Sequence, residues 1–455
     1  MESRGALGAT GYAVLTRGLR ASARIVIVFL LARFYSESEV AAFAYTFVAS
    51  SLIALVCDLG LSDFAIREIA VSTTSHALER AVLVLRLTTL PISIIASVAI
   101  VVATSTTPPL VSLAIVGYAN ALSIADLLGA IHRGHQRYAH DTLEAAAPVL
   151  ALVAATGCAA GGAPVEWFFA SLGGVGAIVV AVRVVVAARR ARDRTTAPVS
   201  IISLARSGRW FAVRAVVTTA LFELSIILLQ QLSSHDEVAL FAVAQRPVGL
   251  MTQALSVIAM VFLPTLSRTF AGEPDRFKAM TADVNLLYLM LVPAAFGACM
   301  LGGQLFLAAS GAAYTHNVEL VRMLSIAVLA YHGTLTTAPL LAAHRERIVV
   351  VSSVTGVIAL TVAGLATIPR FGTTGAAIAT GIAMVVAKLV QMLGYRLASL
   401  PLGDVRHIFA LAAAICFIAA TIVTNGAMNL VVIVAGVLIS TAVSARRLAR
   451  MRLAR

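Results

Sequence analysis

The chain has 455 residues, a formal net charge of +13 and a mean hydropathy of +0.95, with 60% hydrophobic and 12% charged residues. Soluble domains carry about a quarter charged residues, so the shortfall excludes a string of ordinary globular domains and points to a polytopic membrane protein. The basic excess sits in short clusters between apolar runs, which leaves no soluble face for nucleic acid.

A membrane-crossing helix needs about 20 mainly apolar residues. Division at charges, Gly/Pro turns and polar clusters predicts fourteen such segments. Six lie near 8–34, 39–66, 80–104, 109–131, 143–161 and 166–188. After the polar stretch "RRARDRTTAPVSIISLARSG" come 209–232, 238–266, 280–302, 318–342, 348–368, 374–398, 407–424 and 428–445. Of the 34 Arg and Lys, about 22 fall on one set of alternating loops, the helix ends adjoining them and both ends of the chain, whereas the opposite loops hold Arg370 and, at a boundary, Arg33. The bias in short loops places both termini in the cytosol. The ending "ARRLARMRLAR" is then a basic patch beside the anionic inner leaflet, or a stop-transfer anchor.

"SESEVAAFA" at 36–44 returns as "SHDEVALFA" at 234–242, identical at six of nine positions and offset by 198 residues (234 − 36). Both copies fall on outward turns, after helix 1 and after helix 7. Six helices, an even number, separate them, so the halves share one orientation, as in a parallel repeat with its substrate site between the halves. The chain is accordingly divided into an N-lobe at 1–188, a cytosolic linker at 189–208, a C-lobe at 209–398 and a final helix pair with basic tail at 399–455.

"FLLARFYSESEVAAFAYTFVASSLIALVCDLGLSDFAIREIA" (29–70), "DEVALFAVAQRPVGLMTQALSVIAMVFLPTLSR" (236–268) and "FGTTGAAIATGIAMVVAKLV" (371–390) carry a family likeness. They resemble the polysaccharide transporters of the multidrug/oligosaccharidyl-lipid/polysaccharide exporter superfamily, with their short polar turn and D-L-G-L-S type corner. The resemblance implies two pseudo-symmetric six-helix lobes in a V. It implies a flippase that moves polyprenyl-pyrophosphate-linked saccharide from the cytosolic to the periplasmic leaflet of a bacterial inner membrane. Glycan polymerases or glycosyltransferases would be its working neighbours, and the extra helix pair resembles the groove-lining pair of lipid II flippases.

Flipping requires a polar path and a counter-charge for pyrophosphate. Arg17, Arg20 and Arg24 lie within an arc of about 60° and a rise of about 10 Å on helix 1. Charges at such depth face a cavity or snorkel to headgroups, and arginine's planar fork suits phosphate oxygens. Arg246, just before Pro247 in helix 8, and Lys388 in helix 12 are cavity cations on the same argument, with structural pairing as the alternative. Glu223 in mid-helix 7 is the candidate for ion coupling, or the partner of an arginine. Asp58, Asp63 and Asp126 read as caps or structural partners. "HRGHQRYAH" has no metal-ligand spacing, and Gly173, Gly174 and Gly176 suit close helix packing.

Cys57, Cys158, Cys299 and Cys416 read as small buried side chains, and the first apolar run, broken by arginines, does not have the form of a cleavable signal. No catalytic set, metal or cofactor is expected. A drug/cation antiporter of the same superfamily is the nearest rival, but it would favour acidic groups where helix 1 has three arginines. A membrane enzyme acting on lipid-linked glycans and a non-transporting scaffold are the remaining alternatives.

Overall fold

The structure, a computed structural model, describes residues 2–71, 75–104, 107–135, 137–192, 201–331 and 333–398. Among these residues every regular element is helical. The order is α1 (Glu2–Phe34), α2 (Glu37–Asp58), α3 (Leu61–Val71), α4 (Ser75–Thr104), α5 (Pro109–Gly134), α6 (Tyr138–Ala160) and α7 (Val165–Arg192), followed by α8 (Ile201–Leu232), α9 (His235–Gly272) and α10 (Pro274–Ser310). A short 3-10 turn (Ala312–Asn317) leads to α11 (Val318–Tyr331), α12 (Gly333–Ala342) and α13 (Glu346–Leu397). The predicted segments 407–424 and 428–445 and the basic tail lie outside the described residues.

Among the described residues seven helices are long and apolar enough to cross a membrane: α2, α4, α5, α6, α7, α8 and α13. Their outward faces are apolar, as at Ile92, Ile95, Val153, Trp167, Ile178 and Val362, all exposed. In water such a surface would be a liability; in lipid it is the expected solvent-facing side.

The segment predicted at 39–66 is two helices rather than one. Leu59 and Gly60 both take left-handed backbone angles, φ 52 and φ 69, which end α2 and let α3 start in a new direction. The predicted pair 348–368 and 374–398 is present as two helical arms of Glu346–Leu397, the helical course breaking between them at Gly372, φ 52 and ψ −127. Thr367 Oγ1 donates to the Gly375 carbonyl at 2.8 Å, and a Cβ on Gly375 would run into the Thr367 backbone. At the other end a Cβ on Gly394 would meet Ile348. Residues so distant in sequence can approach in this way only if the two arms are antiparallel. α13 is therefore a helical hairpin.

The repeated nonapeptide turns out to be a helix start. Ser36 stands at the N-cap of α2, and Glu39 reaches back to it as in a capping box: Glu39 Oε2 accepts the Ser36 backbone N–H at 2.7 Å and its hydroxyl at 2.8 Å. Ser234 occupies the same place before α9, its Oγ accepting the Glu237 N–H at 3.4 Å. The matched apolar positions Val40, Ala41, Phe43 and Ala44, and Val238, Ala239, Phe241 and Ala242, are all buried. Both copies thus encode one corner, a polar cap followed by an apolar first turn.

Cα packing divides the chain into two compact units, Met1–Ala242 and Val243–Arg455. The division falls inside α9 and not at the 189–208 linker, because α8 packs against α2, α3 and α4 of the first unit. In that unit α5 is central, touching α2, α3, α4, α6 and α7. Gly173 lets α7 close on α5, since a Cβ there would strike the Ala114 carbonyl, whereas Gly174 faces open space. In the second unit α10 and α13 both pack on α11.

Candidate functional site

The arginines of α1 meet different surroundings. The Arg17 side chain lies outside the described residues. Arg20 is held by two carboxylates, Nη1 lying 3.0 Å from Asp126 Oδ1 on α5 and Nη2 3.0 Å from Asp141 Oδ1 on α6. Asp141 is buried and is also taken by both oxygens onto Arg133 Nη1, at 2.8 and 2.9 Å. Arg24, one turn further along α1, is exposed and makes no ion pair among the described residues. It borders a small pocket with Arg20, Ala23, Tyr118, Asp126 and Pro148. The pocket thus has one free guanidinium, Arg24, beside one already neutralised, Arg20.

A second ionic cluster ties α5, α6 and α7. Buried Glu144 accepts Arg183 Nη2 at 2.7 Å and Nε at 3.1 Å, and His132 Nε2 lies 3.4 Å away. His132 lies beside His140, the rings tilted by 37° with centroids 5.3 Å apart, and His135 reaches Glu79 at 3.4 Å. Each histidine of the "HRGHQRYAH" loop therefore sits with a carboxylate or another ring, and among the described residues no set of three metal-ligating groups converges.

Sequence reasoning passed over Arg86. It is 1% exposed on α4, with Nη2 3.1 Å from Ser123 Oγ and 3.5 Å from Asn120 Oδ1. Its Nε stands 3.9 Å from Asp58 Oδ1, at the end of α2. The available signal was a lone arginine in the apolar run "AVLVLRLTTL" (81–90).

Asp58 begins the α2–α3 corner, which grips α8. A Cβ on Gly60 would come within 2.7 Å of the Phe211 backbone, so only glycine allows this approach. Three residues on, Asp63 pairs with Arg214 of α8. Asp63 and Asp126 thus serve as close partners of Arg214 and Arg20, while Asp58 faces Arg86 at the longer distance of 3.9 Å.

Glu223, on α8, is half-buried; its Oε2 is buried with no hydrogen-bond partner, and it makes no ion pair among the described residues. Arg246 of α9 is nearly buried, and α9 continues through Pro247, against whose ring Gly303 of α10 packs. Lys388 lies half-buried on the second arm of α13, one turn before buried Gln391, which donates to Thr337 Oγ1 of α12 at 3.0 Å. Cys57 and Cys158 are half-buried and Cys299 buried, all free thiols; Cys416 lies outside the described residues.

The sequence model of the polysaccharide biosynthesis protein family matches residues 7–270. No curated protein matches the chain. Among solved structures, the chain is similar to a lipid II flippase, MurJ, in an inward closed conformation: TM-score 0.65, 10% identity, 97% of this chain and 100% of that one. It is also similar to the MATE multidrug transporter DinF-BH, with TM-score 0.63, 13% identity, 86% of this chain and 95% of that one. An outward-facing MATE transporter of the MOP superfamily gives TM-score 0.60 at 13% identity over 86% of this chain and 95% of its own. At such identities these likenesses establish a shared fold and nothing of substrate.

Proposed function

Because the chain belongs to the polysaccharide biosynthesis protein family, we propose that it is a flippase. Its substrate is a polyprenyl-pyrophosphate-linked saccharide, moved from the cytosolic to the outer leaflet of a bacterial inner membrane by alternating access. The observation that carries this reading is Arg24, a guanidinium on the first helix that borders a pocket and has no carboxylate partner among the described residues. An uncommitted fork can take two phosphate oxygens at once, and it attracts an anion where lipid offers no competing water. Arg20 lines the same pocket but is balanced by Asp126 and Asp141, so it shapes the wall and holds α1, α5 and α6 together. Arg17, Arg246 and Lys388 are assigned to the same path as further cations.

In this scheme the halves 1–188 and 209–398 rock against one another, and the hold of the α2–α3 corner on α8 closes the arginine-rich end. Both termini are cytosolic. Cysteines placed at Ser38, Asp236 and Thr373 should react with an impermeant thiol reagent from outside, and one at His135 should not. Labelling of His135 and Ser38 from the same side would overturn the orientation. Translocation is tested in vesicles, normalised to folded protein. Arg24→Ala should stop it, and near-normal flipping by that variant removes the central charge from the scheme.

One observation favours a second reading, a cation-coupled multidrug antiporter: the unpartnered Oε2 of Glu223. An acidic group of this kind could hold a cationic drug or a coupling ion. Efflux of a cationic dye that Glu223→Gln abolishes and Arg24→Ala spares would favour the antiporter.

A further inference from the structure

Three helices of the first unit, α2, α4 and α5, carry polar residues at helical spacing. Thr46, Ser50 and Asp58 lie four and eight residues apart on α2. Arg86, Ser93 and Ser97 lie seven and four apart on α4, and Ser112 and Asn120 lie eight apart on α5. Such spacings put each set on one face of its helix. The three helices pack on one another, and every one of these residues is buried, none more than 3% exposed. Ser93 donates to Asn120 Oδ1 at 2.7 Å, and Arg86 reaches the same oxygen from below, so the faces of α4 and α5 meet.

This seam is poorly satisfied. Thr46 Oγ1, Ser50 Oγ, Ser97 Oγ, Ser112 Oγ, Asp58 Oδ1 and Arg86 Nε are buried without a hydrogen-bond partner among the described residues. Hydroxyls on other helices satisfy themselves on the carbonyl four residues back: Thr156 of α6 on Leu152 at 2.8 Å, Ser310 of α10 on Phe306 at 2.8 Å and Ser325 of α11 on Val321 at 2.7 Å. The seam hydroxyls do not. At 1.5 Å per residue, Ser50 and Thr46 stand about 12 and 18 Å from Asp58 along α2, and Ser97 about 16 Å from Arg86 along α4. The orphaned groups are thus strung through the depth of the bundle rather than gathered at one point. Native interiors leave few buried polar atoms unpaired, and the occupant that pairs small scattered hydroxyls is water.

We propose that the seam between α2, α4 and α5 is a hydrated track that delivers protons to Asp58, the ion site to which transport is coupled. The coupling clause rests on the transporter reading above; the track does not. The charged groups facing Asp58 are Arg86 of α4, Asp63 of α3 and Asp126 of α5. Asp63 is taken up by Arg214 of α8 and Asp126 by Arg20 of α1, so Asp58 answers to Arg86 alone. The 3.9 Å between them is too long for a hydrogen bond, and each faces the other with an unpartnered atom. A hydronium at the end of the track gives its proton to Oδ1 and leaves as water. The neutral carboxyl no longer attracts Arg86. Asp58 Oδ2 also accepts the Ser62 N–H at 3.4 Å, at the start of α3, so the change is felt where the corner grips α8.

The test is an infrared pH titration of the full chain in lipid nanodiscs, which needs no saccharide. Acidification should raise a protonated-carboxyl C=O band that is missing in Asp58→Asn and displaced in frequency in Asp58→Glu. The Glu variant decides the matter if the Asn variant fails to fold. In D2O the band should shift promptly, and the double variant Ser50→Val, Ser97→Val should keep the band but slow its shift about tenfold. A band unchanged in both Asp58 variants overturns the proton site. A band that never shifts in D2O, or shifts at the same rate in the double variant, overturns the track. In vesicles, translocation by Asp58→Glu should follow an imposed pH gradient at an altered pH, and unaltered dependence overturns the coupling. Loss of all flipping in the unmodified protein, with the band intact, counts against the flippase reading and leaves the track standing.

Discussion

Arg20 and Arg24 share a helix, a charge and a face, four residues apart, yet only one is free. Arg20 meets Asp126 and Asp141, delivered by α5 and α6, and becomes part of the scaffold. Arg24, about 6 Å further along the axis, lies beyond their reach and borders the pocket. The difference teaches that a charge in an apolar span is not by itself a functional signal. Its meaning depends on whether neighbouring helices supply a counter-charge at the same depth.

The largest effect should come from Arg24 itself. Losing two charge-assisted hydrogen bonds to pyrophosphate costs about 3 kcal/mol, so Arg24→Ala should lower vesicle translocation about 100-fold while thermal unfolding is unchanged. Arg20→Ala should do the reverse. Stranding part of the charge on Asp126 and Asp141 lowers stability by roughly 3 kcal/mol, read as a fall in unfolding temperature, with flipping per folded molecule largely kept. Equal behaviour of the two variants would erase the distinction. A reversal can also be engineered. Asp126→Asn with Asp141→Asn should release Arg20 and tighten pyrophosphate binding, measured by calorimetry, by about tenfold. Arg24→Lys should retain part of the activity, about a tenth, because an ammonium attracts phosphate without the bidentate fork. The smallest effect belongs to Tyr118, whose buried hydroxyl has no partner in the pocket wall. Tyr118→Phe should raise stability by about 1 kcal/mol and change flipping less than about twofold.

Much of this was legible in the sequence. Apolar runs of the right length gave the helices, since each span must satisfy its backbone within itself and so announces itself locally. The corner motif at 36–44 and 234–242 was visible as a repeat, although its chemistry, a capping serine with glutamate three residues on, became evident only with Ser36 and Glu39 in place. The break at Leu59–Gly60 was harder to read, because it divides a span that is apolar on both sides. Arg86 was missed for a related reason. One arginine in an apolar run looks like a helix end until Asn120, Ser123 and Asp58 are seen around it.

The sequence by itself determined that this is a helical membrane protein and where most of its described helices run, because hydropathy and helical spacing are properties of neighbours along the chain. Tertiary structure decided which charges are paired. Asp141 is 121 residues from Arg20, Glu144 is 39 from Arg183, and Asp63 is 151 from Arg214. Pairing at such separations depends on the depth and rotation of whole helices, which are set by packing details such as Gly173 against Ala114 and Gly60 against Phe211.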